Sequence, residues 1–345
     1  MTQLTTYIGT SNHGFAQYAQ DEIRKLFPLT KFTLLIPTEV FYFQVPDDAN
    51  QVIPALQDQE PIFLRHVQPV HQEWELSRTD ADIAHVKAWV REAYASGLFV
   101  FGEKIATQIR KEERADVPYA PFAIKAAIDE ILTAECGADP VVRYADHIIS
   151  VYISAKKLFI GISKPAENLS DWSGGAIRFM KEEDQISRAK FKLLEAEKRF
   201  GIDFSVARKA IDIGAAPGGW TSLLLERGLK VTAIDPAAMN PRLLGNPLLT
   251  FLKKNAGDVK LRENEFDLLV CDMSWDPRQM GRLVADLLFS LKSGGTAIIT
   301  VKLMHKKPFQ TVRDILRIFE DSLFLLKAKQ LFHNREELTL YLQKI

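Results

Sequence analysis

The stretch Lys209-Ala-Ile-Asp-Ile-Gly-Ala-Ala-Pro-Gly-Gly-Trp220 decides how the rest of the chain is read. Ala210 to Ile213 is an apolar β-run carrying one acid, Asp212, and it breaks into a loop of Gly214, Pro217, Gly218 and Gly219. A helix is predicted from about Trp220. Strand, tight glycine loop and helix N-terminus together let backbone approach a bound nucleotide-like cofactor. The next apolar run, Val231 to Asp235, ends in a carboxylate 23 positions after Asp212, near the ~20-residue offset of an acid that grips a ribose diol. The loop is not a nicotinamide fingerprint, because Ala216 stands where that pattern needs glycine, and no Lys-Ser or Lys-Thr follows Gly219 to make a phosphate loop.

Outward from this stretch, the C-terminal half alternates strands and helices. A helix over 187–199 precedes it; strands are predicted at 248–252, 266–272 and 296–302, and helices at 281–291 and 311–319. Ser293-Gly-Gly reads as the stop of the first of those helices. Strands at 323–332 and 337–342, joined by a short turn, must run antiparallel. The alternation predicts an α/β fold with a mostly parallel sheet and right-handed crossovers. Such sheets bind ligands beyond the C-terminal ends of their strands. Asp235, Asp272 and Lys302 end three strands, and Glu337 opens the last, so four charges are expected on one rim.

The first 70 residues predict a small α+β unit: strands at 6–10, 32–36, 40–45 and 62–70, and helices at 15–26 and 53–56. Residues 71–165 predict a second unit, with helices at 80–95 and 121–136, a strand at 98–105 and a hairpin over 147–162. Residues 166–185 read as a linker and 186–345 as the catalytic domain. The chain of 345 residues is 47% hydrophobic and 26% charged, with no net charge, which excludes a disordered chain. Residues 171–345 hold 28 Lys+Arg against 22 Asp+Glu, and residues 1–170 hold 16 against 22. A modestly basic half fits an anionic polymer, and ordinary surface scatter fits equally. Cys136 and Cys271 form no metal spacing and read as buried thiols of a reducing compartment. No leader and no long apolar span is visible, so a soluble cytoplasmic protein without a bound metal is expected.

The glycine stretch resembles motif I of class I S-adenosylmethionine (SAM) methyltransferases, in the form found in RrmJ/FtsJ-like RNA ribose 2′-O-methyltransferases. That resemblance implies a Rossmann-like seven-stranded sheet with an antiparallel last strand, and SAM as cofactor. It implies cofactor contacts at Ser187, Gly214, Ala216, Pro217, Gly218, Gly219, Trp220, Asp235 and Asp272. It also implies a catalytic Lys-Asp-Lys-Glu tetrad. Its members match Lys192 in Ser187-Arg-Ala-Lys-Phe-Lys192, Asp272 in Val270-Cys-Asp272-Met, Lys302 in Thr300-Val-Lys302, and Glu337 in Asn334-Arg-Glu-Glu337. Glu336 is a one-residue rival of Glu337. The Gly-Trp after motif I and the end Lys329-Gln-Leu-Phe-His-Asn-Arg-Glu-Glu337 resemble the large-subunit ribosomal RNA methyltransferase M group. In that group an acid on the adenine side stands where this chain has Asn255, with Asp258 three residues later. The front half resembles a ferredoxin-like unit followed by a THUMP-like RNA-capture unit.

The resemblance implies methyl transfer from SAM to a ribose 2′-hydroxyl of RNA, most simply 23S ribosomal RNA. A hydroxyl is a poor nucleophile and needs a base. Lys302 is expected to be that base, with the cation of Lys192 nearby and partial burial favouring its neutral amine. Trp275, Lys253-Lys254 and His305-Lys-Lys307 are candidate RNA contacts or plain surface. Two rivals stay open at this stage: a methyltransferase acting on transfer RNA or on a nucleobase, and an RNA-binding protein with a degenerate methyltransferase domain.

Overall fold

The computed structural model describes residues 4–180 and 185–345. Residues 181–184 of the expected linker lie outside the described residues. The chain divides into two compact units, Met1–Ile177 and Arg178–Ile345.

In the first unit, β1 (Thr5–Thr10), α1 (Ala16–Leu26), β2 (Lys31–Ile36), β3 (Val40–Val45), α2 (Ala49–Asp58) and β4 (His66–Pro69) follow in order. They make a four-stranded sheet ordered β2-β3-β1-β4 with antiparallel neighbours throughout. This is the split β-α-β arrangement of a ferredoxin-like unit. A strand expected from residue 62 begins only at His66, because the Ile62 and Phe63 N–H groups donate to the Glu22 carboxylate at 2.7 and 2.9 Å instead of to a neighbouring strand.

The elements β5 (Gln72–Glu75), α3 (Ala81–Ala95), β6 (Lys104–Lys111), α4 (Pro121–Ala134), β7 (Asp139–Val141), β8 (His147–Ile153) and β9 (Lys157–Ser163) build a five-stranded sheet. Its order is β5-β9-β8-β6-β7. Val86, Val90, Ile124 and Ile128 on the two helices pack against Ile105, Ile149 and Val151 of the sheet. The strand expected at 98–105 is corrected to Lys104–Lys111. Leu98 to Phe101 is apolar but turns between Gly97 and Gly102, both at positive φ, and Phe101 is 76% exposed.

The second unit contains α5 (Lys190–Phe200), β10 (Lys209–Ile213), α6 (Gly219–Glu226), β11 (Lys230–Ile234), α7 (Pro241–Leu244), β12 (Leu249–Leu252) and β13 (Phe266–Cys271). It continues with α8 (Pro277–Leu287), β14 (Leu291–Lys302), α9 (Pro308–Phe319), β15 (Leu323–Lys329) and β16 (Glu337–Lys344). The seven strands are ordered β12-β11-β10-β13-β14-β16-β15. The first five in that order are mutually parallel, and β16 runs antiparallel between β14 and β15. This is the mixed, Rossmann-like α/β sheet expected.

From β10 the chain steps outward through β11 to β12, then returns to place β13 on the other flank of β10. The strand order therefore reverses between β10 and β13, and such a switch point opens a crevice at the strands' C-terminal ends. Two boundaries differ from expectation. The helix expected at 281–291 runs from Pro277 to Leu287, started by the Asp276 carboxylate, which accepts from Arg278 N and Gln279 N. Gly281 is a contact residue inside it: a Cβ there would lie 3.0 Å from Ile315 Cδ1 on α9. Ser293-Gly-Gly, read as a helix stop, lies within β14.

Candidate functional site

The loop after β10 is shaped by what surrounds it. Gly214 has φ 76°, and a Cβ there would stand 2.3 Å from Met273 Cγ. Gly218 has φ 114°, and its Cβ would stand 2.4 Å from Leu243 Cδ1. A side chain at each would combine left-handed backbone strain with overlap. At Gly219, which opens α6, a Cβ would lie 3.0 Å from the Ser187 Cβ and 3.1 Å from the Lys190 N. Trp220 closes that contact, its indole N–H donating to Ala189 O at 2.9 Å. The segment 187–190 is thereby packed on the glycine loop. The Ser187 hydroxyl accepts from Ala189 N at 3.2 Å. The Ala216–Pro217 bond is cis.

Two carboxylates brace the loop. Asp212 is 1% exposed and accepts from the Thr221 hydroxyl at 2.6 Å, tying β10 to α6. Burial pushes its carboxyl up to about 7, with the nearby Asp272 and Asp235 adding to the rise and the Thr221 hydrogen bond opposing it. Asp235, just past β11, accepts from Ala216 N at 3.0 Å and Ala237 N at 2.7 Å. Each of its oxygens keeps a lone pair that a diol can use.

Across the switch point the tetrad positions converge. The Lys192 ammonium on α5 donates to Asp272 Oδ1 at 2.9 Å and to Glu337 Oε2 at 2.5 Å. These three side chains are only 11–18% exposed. Burial alone would lower the Lys192 pKa, but the two carboxylates outweigh it and hold the ammonium above its usual range. Thr300 donates to Asp272 Oδ1 at 2.7 Å, and Ser274 donates to Glu337 Oε1 at 3.0 Å.

Lys302 lies directly across from Glu337 in the β14–β16 register. Its side chain differs from expectation: Lys302 is exposed, not part-buried, and makes no hydrogen bond or ion pair among the described residues. Nor is Lys192 a bare neighbouring cation, since two carboxylates neutralise it. Between the rival acids, Glu337 joins the network. Glu336 is exposed, and its backbone carbonyl accepts from Leu303 N at 2.9 Å.

Asn255 is exposed and donates to Asp258 Oδ2 at 3.3 Å, so the two adenine-side candidates touch each other. Lys253, Lys254 and His305 to Lys307 are exposed. Sequence reasoning missed three residues that hold this site. Thr300 precedes Lys302 by two on one strand and so shares its face, a signal that was available. Glu195 accepts from Phe332 N and His333 N, both at 2.9 Å, and fixes the turn that leads to Glu337. It and Ser274 have no local signature. Cys271 is fully buried, which raises its thiol pKa and leaves it inert. Among the described residues no group of His, Cys, Asp and Glu is arranged to hold a metal, and no helix is long and apolar enough to cross a membrane.

Residues 185–327 match the model of the FtsJ-like methyltransferase family. The chain is similar to the ribosomal RNA large subunit methyltransferase M of Laribacter hongkongensis, with 34% identity over 203 residues, 55% of this chain and 57% of the relative. It is similar to the protein of the same name from Pseudomonas aeruginosa, with 28% identity over 260 residues, 71% of this chain and 68% of the relative. The match spans little more than half the length of the first of these curated relatives. Among solved structures, TrmN from Thermus thermophilus aligns over 99% of this chain and 100% of that one, with 14% identity and a TM-score of 0.42.

Proposed function

We propose that the protein, whose residues 185–327 match the FtsJ-like methyltransferase family, methylates a ribose 2′-hydroxyl of large-subunit ribosomal RNA, using SAM. The observation that carries this reading is the unequal treatment of two lysines on one rim. Lys192 is held by two carboxylates, and Lys302, across from Glu337, is held by none. A lysine clamped by two carboxylates is placed to orient a substrate, and a lysine whose nitrogen has no partner among the described residues is open to a substrate hydroxyl.

The glycine loop, Asp235 and the Ser187 segment fit the cofactor. The loop's glycines let Met273, Leu243 and the 187–190 segment close around the switch point, and Asp235 offers acceptors for a ribose diol. Asn255 provides an amide for the adenine side. When bound, SAM supplies the electrophilic methyl group. Lys302 Nζ takes the proton from the ribose hydroxyl as the oxygen attacks. Lys192, fixed by Asp272 and Glu337, orients the ribose, and Thr300 and Ser274 hold those carboxylates in place. Positioning of this kind lowers the entropic part of the barrier. The exposed lysines at 253–254 and 306–307 are phosphate contacts. The first unit captures RNA, and the protein works in the cytoplasm without a metal.

The test is nucleoside mapping by mass spectrometry of RNA from a strain lacking the gene and from the same strain with it restored. The expected result is one 2′-O-methylated nucleotide of large-subunit ribosomal RNA that disappears and returns. A change confined to transfer RNA, a change on a base, or no change overturns the reading.

A further inference from the structure

Trp275 stands where the site meets solvent. It is 49% exposed, while the other four tryptophans are buried or half-buried. Trp89 and Trp220 are in the core, Trp74 stacks on His85 and Trp172 lies under Arg143. Trp275 makes no ring contact among the described residues.

The backbone that carries this indole is fixed on both sides. Asp272 is fixed by Lys192 and Thr300. Met273 lies against Gly214, whose added Cβ would overlap it. Ser274, the residue before the indole, is hydrogen-bonded to Glu337 at 3.0 Å. Asp276, the residue after it, caps α8 by accepting from Arg278 N at 3.0 Å and Gln279 N at 3.1 Å. A large apolar ring is therefore kept in water three residues past Asp272, next to the Ser274 that bonds Glu337. Lys302, Lys306 and Lys307, at and just past the end of β14, are exposed as well.

We propose that Trp275 is a stacking platform for an unpaired nucleobase of the RNA, beside the ribose that is methylated. The proposal rests on the site being an RNA ribose methyltransferase site. Sequence-specific RNA recognition works on unstacked bases laid on aromatic faces, and an indole accepts any base because every base has a π-face. A ring on the rim can thus hold the target nucleotide out of its helix while Lys192 and Lys302 address its ribose. Trp275 is a positioning residue and takes no part in proton transfer.

The test uses the full chain with Trp275→Ala and Trp275→Phe. For methyl transfer to unmethylated large-subunit ribosomal RNA made in vitro, the alanine variant should lose roughly tenfold or more in kcat/KM, from the stacking lost on truncation. The phenylalanine variant should keep most of the wild-type value. SAM affinity by calorimetry should be unchanged in both, which also shows that both fold. A short single-stranded oligoribonucleotide should quench wild-type tryptophan fluorescence, and that quench should vanish in Trp275→Phe. Unchanged kcat/KM in the alanine variant overturns the proposal. So does a phenylalanine variant as impaired as the alanine one, or a loss of SAM affinity, which would put the indole on the cofactor. If the wild type methylates no ribosomal RNA, the proposed function fails, and the quenching experiment still decides the stacking.

Discussion

Asp212→Asn should remove from the second unit a loss of stability that sets in as pH rises. Asp212 is buried inside the central strand with one hydroxyl partner, Thr221. Burial raises its folded pKa to about 7 from an ordinary value of 3.8. Between those values the folded protein keeps the proton and the unfolded chain does not, so stability is full below the unfolded value and is lost as pH rises through the folded one. Over the whole window the loss is roughly 4 kcal/mol, and from about pH 5.5 to about pH 8 it is roughly 2 kcal/mol. Asparagine keeps an acceptor for Thr221 and removes the charge. Urea denaturation of both proteins at the two pH values should therefore show the variant gaining about 2 kcal/mol on the wild type at the higher pH. A stability difference that stays constant between the two would refute the reasoning and mean that Asp212 titrates like an exposed acid.

Gly214→Ala forces an L-residue to φ 76° with its Cβ 2.3 Å from Met273 Cγ. Left-handed strain alone costs ~1–2 kcal/mol, so thermal unfolding should move down and the calorimetric affinity for SAM should fall with it. Lys192→Met removes the cation between two half-buried carboxylates. Breaking such a pair costs ~3 kcal/mol. Denaturation curves at neutral pH should show that loss.

The parallel core of the second unit was legible because its strands are short apolar runs that stop at a charge. Asp272 and Lys302 mark strand ends in exactly that way, and the antiparallel return puts Glu337 opposite Lys302 in register. The N-terminal sheets were less legible. Leu98 to Phe101 is more apolar than much of the real strand Lys104–Lys111, and its flanking glycines at positive φ turn it outward. Gly281 looked like a helix start because its role, letting α9 approach, depends on Ile315 far along the chain. The network had the same limit. Which lysine the two carboxylates hold depends on side-chain reach across three elements, and residue order carries no record of it. The sequence pattern makes Lys192 a neighbouring charge on Lys302; side-chain reach makes it a neutralised clamp.

The division of labour between the two lysines is tested most directly by single-turnover methyl transfer with Lys302→Ala on unmethylated large-subunit ribosomal RNA, with SAM binding measured on the same sample. Loss of a general base predicts a rate reduced by ~100-fold or more, with SAM affinity unchanged. A variant that transfers methyl groups at close to the wild-type rate would contradict the assignment of Lys302 as the base.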